Sequence, residues 1–117
     1  MGTPSAPGVV QALEIIEDCP PGGGSGRPLL FVHGAFAGAW CWSKHFLPYF
    51  SAQGYRACAL SLSGHGGSRG RERLDWFSIT DYVRDLEQAV DVVGGNPVLI
   101  GHSMGGFVVQ KYLERAS

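Results

Sequence analysis

Apolar residues fall along this chain in two patterns. The short unbroken run Leu29-Leu30-Phe31-Val32, bounded by turn formers, predicts a strand buried on both faces of a parallel sheet, and the all-apolar Val98-Leu99-Ile100 predicts another strand. Residues 55–62 predict another strand, and the mixed β-branched and apolar stretch 9–17 an edge strand. Elsewhere the spacing is helical. Ile79, Tyr82, Val83, Leu86, Val90 and Val93 recur on one face with charges opposite, behind a Ser78-x-x-Asp81 capping box and ahead of Gly94-Gly95. A further helical run, 107–115, leaves the last strand with no connecting loop. A first helix is expected over 44–53, with Phe46, Leu47 and Phe50 inward and Gly54 as its stop. Pro48 removes a hydrogen bond inside a helix, so the start shifts to near Phe46, with Pro48 in the first turn.

The connections are legible too. Residues 18–28, rich in Pro and Gly, form a loop. Residues 33–40 form a loop of small residues, and 63–70 a wide polar one. Residues 1–8 are expected to be disordered, leaving one domain over 9–117. No internal repeat is present. Strands alternating with helices imply a three-layer α/β/α architecture, with a mostly parallel sheet and right-handed crossovers.

Composition narrows the function classes. Of 117 residues, 44% are hydrophobic and the net charge is −1, so the chain is globular and has no basic footprint for nucleic acid. No run approaches the roughly 18 apolar residues of a membrane span, and no export signal is visible. Cys19, Cys41 and Cys58 cannot all pair and match no metal spacing, which reads as reduced thiols of a cytoplasmic protein.

The candidate chemistry sits where the last strand meets the last helix. Gly101-His102-Ser103-Met104-Gly105 has the form G-x-S-x-G between a strand and a helix. A serine on so sharp a corner takes a strained backbone conformation, at a cost of about 1–3 kcal/mol. The flanking positions must be small because strand and helix nearly touch. Glycine is common here, at 18 of 117 residues, so chance matches arise. Gly66-Gly67-Ser68-Arg69-Gly70 is one, but no strand enters it and no amphipathic helix leaves it. Ser68 therefore reads as a turn residue and Ser103 as the nucleophile.

With those motifs in hand, the chain resembles the amino-terminal half of an α/β-hydrolase-fold protein, a serine esterase, lipase or lysophospholipase. His33-Gly34 after a buried strand resembles the family's oxyanion loop. Ser63-Gly64-His65-Gly66-Gly67-Ser68 resembles its Pro-Gly-His-Gly-x-Ser turn, with Ser63 for the usual Pro and Ser61 for the usual Asp two positions earlier. Residues 101–106 match the elbow unchanged. The resemblance implies that Ser103 attacks an acyl carbon of a small-molecule ester, and that the backbone N–H groups of Ala35 and Met104 hold the resulting oxyanion. His33, Gly34, Gly101, His102 and Gly105 would support loop and elbow. Phe36, Trp40 and Trp42 would wall the site or serve as ordinary packing. No cofactor or metal is implied.

The family places its acid and its histidine after the serine, where this chain offers only Glu114, about 16 Å along a helix. The four histidines all lie at or before the elbow. His33 reads as holding the oxyanion loop, His45 as a surface or packing residue and His102 as structural. His65 reads as a brace of its turn, with a substitute base as the alternative. The family's strand order puts strand 97–101 in mid-sheet, yet nothing follows here to pair its other edge. The expectation is a truncated chain, inactive or nearly so alone, whose edge pairs with another chain or with the missing carboxy-terminal half. Two alternatives stay open: a non-catalytic binding module, and an acyltransferase or haloperoxidase on the same fold.

Overall fold

The computed structural model describes residues 13–68 and 77–116. The segment 1–8 and the start of the predicted strand 9–17 lie outside these described residues. Four strands, β1 (Ile15–Asp18), β2 (Leu29–Val32), β3 (Ala57–Leu60) and β4 (Val98–Gly101), alternate with helices α1 (Trp40–Ser43), α2 (Phe46–Ala52), α3 (Ile79–Val93) and α4 (Met104–Ala116). The sheet order is β1-β3-β2-β4. Strand β2 pairs parallel with both β3 and β4, while β1 runs antiparallel to β3. The sheet is therefore mostly parallel, as expected.

The unbroken apolar run of β2 is explained by two cores. Leu30, Val32, Cys58 and Leu60 face α3 and α4 and pack with Val83, Leu86 and Val108. Leu29, Phe31, Ala57 and Ala59 face the other way, against Trp42 and Leu47. A strand covered on both sides needs apolar residues at every position, and the result is three layers.

Helix α2 starts where expected, but its inward face and the start of α4 differ from expectation. Helix α2 starts at Phe46, so Pro48 falls in the first turn, where its missing N–H would have no partner anyway. Phe46, expected inward, is instead 47% exposed. The four-residue α1 explains this: it delivers Trp42 to the inner position, with ring centroids 5.0 Å from Phe31, and the Phe46 ring lies edge-on to Trp42 at 5.2 Å. Helix α4 begins at Met104 rather than near 107, so it leaves the corner immediately after Ser103. Helix α3 carries its capping box: Ser78 N–H donates to Asp81 Oδ2 at 2.8 Å and Asp81 N–H to Ser78 Oγ at 3.3 Å.

Strand β4 lies at the edge of the described sheet, as expected of a strand with nothing after it to pair its other side, and Val98 and Gly101 are exposed. Among the described residues, no helix is long and apolar enough to cross a membrane.

Candidate active site

Ser103 occupies left-handed backbone space, at φ 58, between the end of β4 and the start of α4. The glycines around it are dictated by contact. A Cβ on Gly101 would lie 2.6 Å from both Gly105 O and Gly106 Cα, and one on Gly105 would overlap the carbonyl oxygens of Val32 and His33. Only a missing side chain lets helix and strands cross so closely. His102 N–H donates to Val32 O at 3.1 Å, and Gly106 N–H to Ser103 O at 2.9 Å, pinning the corner to β2. Ser103 and His102 are exposed. Met104, as first residue of α4, presents an N–H that has no acceptor within its own helix, at the positive end of the helix dipole.

The loop leaving β2 lies against this corner. A Cβ on Gly34 would sit 3.3 Å from Ser103 Cβ and 3.4 Å from His102 O. Phe36, at φ 61, is 80% exposed. The loop is held from beneath by His33, which is fully buried. Its Nε2 accepts from Leu62 N–H at 3.0 Å and its Nδ1–H donates to Gly34 O at 2.6 Å. That pairing fixes the neutral tautomer, and burial lowers the pKa of His33, with the Gly34 carbonyl opposing and the neighbouring His65 adding to the shift. With both ring nitrogens engaged, His33 has none left to take a proton from Ser103.

The turn 61–68 departs from the family motif at two positions, and a carboxylate meets each. Ser61 Oγ donates to Glu14 Oε1 at 2.7 Å and accepts from Ala39 N–H at 2.8 Å. Gly67 N–H also donates to Glu14 Oε1 at 2.7 Å. The loss of Pro at position 63 frees a backbone N–H, which donates to Asp85 Oδ2 at 2.7 Å, while Ser63 Oγ donates to Asp85 Oδ1 at 2.9 Å. Asp85 itself is buried, 3% exposed. Ser68, the decoy serine, is buried and accepts from Glu14 N–H at 2.7 Å, donating its own proton to Ser61 O. Sequence reasoning passed over both carboxylates. For Asp85 a signal existed: it falls between Tyr82 and Leu86 on the apolar arc of α3, where a charge needs a buried partner. For Glu14, 53 residues from Gly67, no local signal exists.

His65, 4% exposed, donates from Nδ1 to Ser63 O at 3.0 Å and lies against His33, ring centroids 4.9 Å apart. It also lines a cavity of about 350 Å³ with Ala35, Phe36, Tyr82 and Met104. Of the three residues expected to wall the site, Phe36 borders this cavity and Trp40 and Trp42 do not; the Trp40 ring is folded against Gly38 instead. Trp42 is core packing. His45 precedes α2 as an exposed residue. Burial raises the pKa of the Cys41 thiol and pushes Cys58 up to about 11, so neither is an activated nucleophile. No cluster of metal-ligating side chains occurs among the described residues.

A serine raised on a left-handed corner between parallel strand and helix, facing a backbone loop, defines a hydrolase-type α/β fold. The chain belongs to the alpha/beta hydrolase family, whose profile matches residues 29–117. It is 35% identical over 91 residues to methyl jasmonate esterase 1 of Vitis vinifera, covering 76% of this chain and 34% of that protein. It is 38% identical over 88 residues to methylesterase 2 of Arabidopsis thaliana, covering 74% and 33%. Among solved structures, epoxide hydrolase VrEH1 from Vigna radiata superposes with a TM-score of 0.74 at 28% identity, over 89% of this chain and 33% of that one. The thioesterase domain from the curacin biosynthetic pathway gives 0.72 at 26% identity, over 85% and 36%. The chain spans about one third of the length of these relatives.

Proposed function

We propose that Ser103 is the nucleophile of a serine hydrolase acting on a small-molecule ester, with the N–H groups of Met104 and Ala35 as its oxyanion donors. The observation that carries this is the strained φ of Ser103 at a corner that Gly101 and Gly105 alone make passable, with Gly34 in contact. Strain of this kind persists where the surroundings enforce it, and a serine on such a corner has its hydroxyl lifted clear of the neighbouring backbone. The named esterases among the relatives favour an ester over other acyl compounds. Removing one oxyanion donor typically costs about 2.7–4 kcal/mol of barrier.

A general base and its orienting acid complete such a site, and residues 104–117 contain neither His nor Asp. The proposal places both in a carboxy-terminal segment whose strand pairs with the open edge of β4. In support, the groove beside that edge is lined by apolar Leu99, Val109 and Tyr112. The 117 residues alone are then nearly inactive.

A fluorophosphonate probe tests the nucleophile directly. At alkaline pH, where hydroxide substitutes for the missing base, intact mass should show one adduct that Ser103→Ala abolishes and Ser68→Ala retains. Labelling unchanged in folded Ser103→Ala, or absent from folded wild type, would refute the assignment. Absence would favour a non-catalytic module that uses the β4 edge for binding.

A further inference from the structure

The loop that carries Ala35 is anchored at both ends to the turn 61–68. Its near anchor is His33. Its far anchor is Ala39, whose backbone N–H donates to Ser61 Oγ at 2.8 Å. Ala39 and Ser61 are both fully buried, so this N–H depends on the serine for its only hydrogen bond. Between the anchors, residues 34–38 include Gly34, which touches the elbow, and the Ala35 donor proposed above.

A serine hydroxyl accepts from Ala39 only while its own proton points elsewhere, and Glu14 sets that direction. Ser61 Oγ–H donates to Glu14 Oε1 at 2.7 Å. A carboxylate only accepts, so the lone pairs of the hydroxyl are left facing Ala39. The same Oε1 accepts from Gly67 N–H at 2.7 Å, which ties it to the far side of the turn. Glu14, immediately before β1, is itself fixed in place. Its N–H donates to Ser68 Oγ at 2.7 Å, and its carbonyl accepts from Ser61 N–H at 2.9 Å. The turn leaves room for the carboxylate: a Cβ on Gly67 would lie 2.7 Å from Glu14 Oε2.

We infer that Glu14 is a positioning residue for the oxyanion loop: acting through Ser61, it holds residues 34–38 against the elbow without touching substrate. The inference rests on the Ser103 reading for its catalytic meaning, whereas the anchoring of Ala39 is readable without any nucleophile. A donor that is displaced rather than deleted should lower the maximal rate about ten- to a hundred-fold and leave reagent binding unchanged.

The test follows fluorophosphonate labelling of the full chain at alkaline pH by intact mass. A series of reagent concentrations separates the maximal rate from the half-saturating concentration. Glu14→Ala should lower the first about ten- to a hundred-fold and leave the second unchanged. Glu14→Gln, whose amide oxygen still accepts from both donors, should stay within about three-fold of wild type. Glu14→Ala combined with Ser61→Asp returns a carboxylate to the turn beside Ala39 N–H and should recover most of the loss. Glu17→Ala is the control: it removes a carboxylate of β1 itself, paired with Arg56 at 3.1 Å, and should label as wild type does. Should Glu14→Ala fail to fold, Ser61→Ala deletes only the relay and should show the same slowing. A wild-type maximal rate in folded Glu14→Ala or Ser61→Ala would overturn the inference. So would a slowing that the folded double variant does not recover, or an equal slowing in Glu17→Ala. Labelling absent from folded wild type would instead refute the nucleophile. The anchor is then judged by Ala39 amide exchange, which should quicken at least about ten-fold relative to the β2 amides in Glu14→Ala; an unchanged ratio would overturn it.

Discussion

Replacing Asp85 by Ala should destabilise the chain far more than a surface aspartate would. Its carboxylate is buried and accepts from Ser63 N–H at 2.7 Å and Ser63 Oγ–H at 2.9 Å, and Ser63 is itself only 1% exposed. Truncation therefore strands two buried donors, at about 1–3 kcal/mol each. Relief of the carboxylate's own desolvation offsets part of this, which leaves a net loss of about 2–4 kcal/mol. Small domains have roughly 5–15 kcal/mol in total, so the loss is a large fraction. Asp85→Asn keeps one acceptor oxygen and should lose about half as much. Urea unfolding followed by circular dichroism reads the change as a lower midpoint at constant slope. The Ser63→Ala and Asp85→Ala double variant should fall short of additivity by about 1 kcal/mol, because the hydroxyl has nothing left to lose once its partner is gone. A folded Asp85→Ala chain within 1 kcal/mol of wild type, or strict additivity in the cycle, would refute the claim that this carboxylate compensates for the departed proline.

Three further outcomes follow from the same geometry. Gly105→Ala drives a methyl into the Val32 and His33 carbonyls and should cost at least about 3 kcal/mol or yield insoluble protein; a soluble variant with an unchanged melting temperature would contradict the close crossing. Ser103→Gly relieves a residue held at φ 58 and should raise stability by about 0.5–1 kcal/mol, whereas Ser103→Ala, which keeps the strain, should not; equal midpoints for the two would argue against strain. Burial lowers the folded-state pKa of His33 from its ordinary value near 6.5, so the unfolded chain takes up a proton that the folded one refuses. This contribution is full above about pH 6.5 and is lost as pH falls through the window down to the folded value, at up to about 1.4 kcal/mol per pH unit. Urea midpoints between pH 7 and 5.5 should fall in wild type and flatten in His33→Gln; parallel slopes would clear His33 of the effect.

What could be read from the sequence was whatever local pattern controls. The cover on both faces of β2 follows from its unbroken run, and α3 follows from spacing and a capping box that Ser78 and Asp81 complete in the structure. The corner at Ser103 was legible because steric contact forces glycine at fixed offsets from the serine. Phe46 was misjudged because α1 has only four residues, too few to show a period, yet enough to move Trp42 into the position Phe46 was expected to fill. The open edge of β4 was legible because no strand pattern follows it among these residues, and the described sheet ends on it; an apolar run states that a strand wants cover and does not say which chain segment supplies it.

The two carboxylates show why a motif can weaken in sequence and survive in space. Ser61 and Ser63 look like losses from a family signature, one of a charge and one of a rigid turn residue. Each loss leaves polar hydrogens to satisfy, and burial makes that obligatory. Glu14 arrives from β1's side and Asp85 from α3, 47 and 22 residues away in sequence. The turn then delivers Leu62 N–H to His33 Nε2, and His33 delivers its other proton to Gly34 O. The orientation of the loop that faces Ser103 thus depends on carboxylates that no motif around the serine contains. If a hydrolase loop can be re-anchored in this way, its signature is conserved as a set of satisfied donors rather than as residue names. The weakened turn motif is then compatible with the intact elbow that stands beside it.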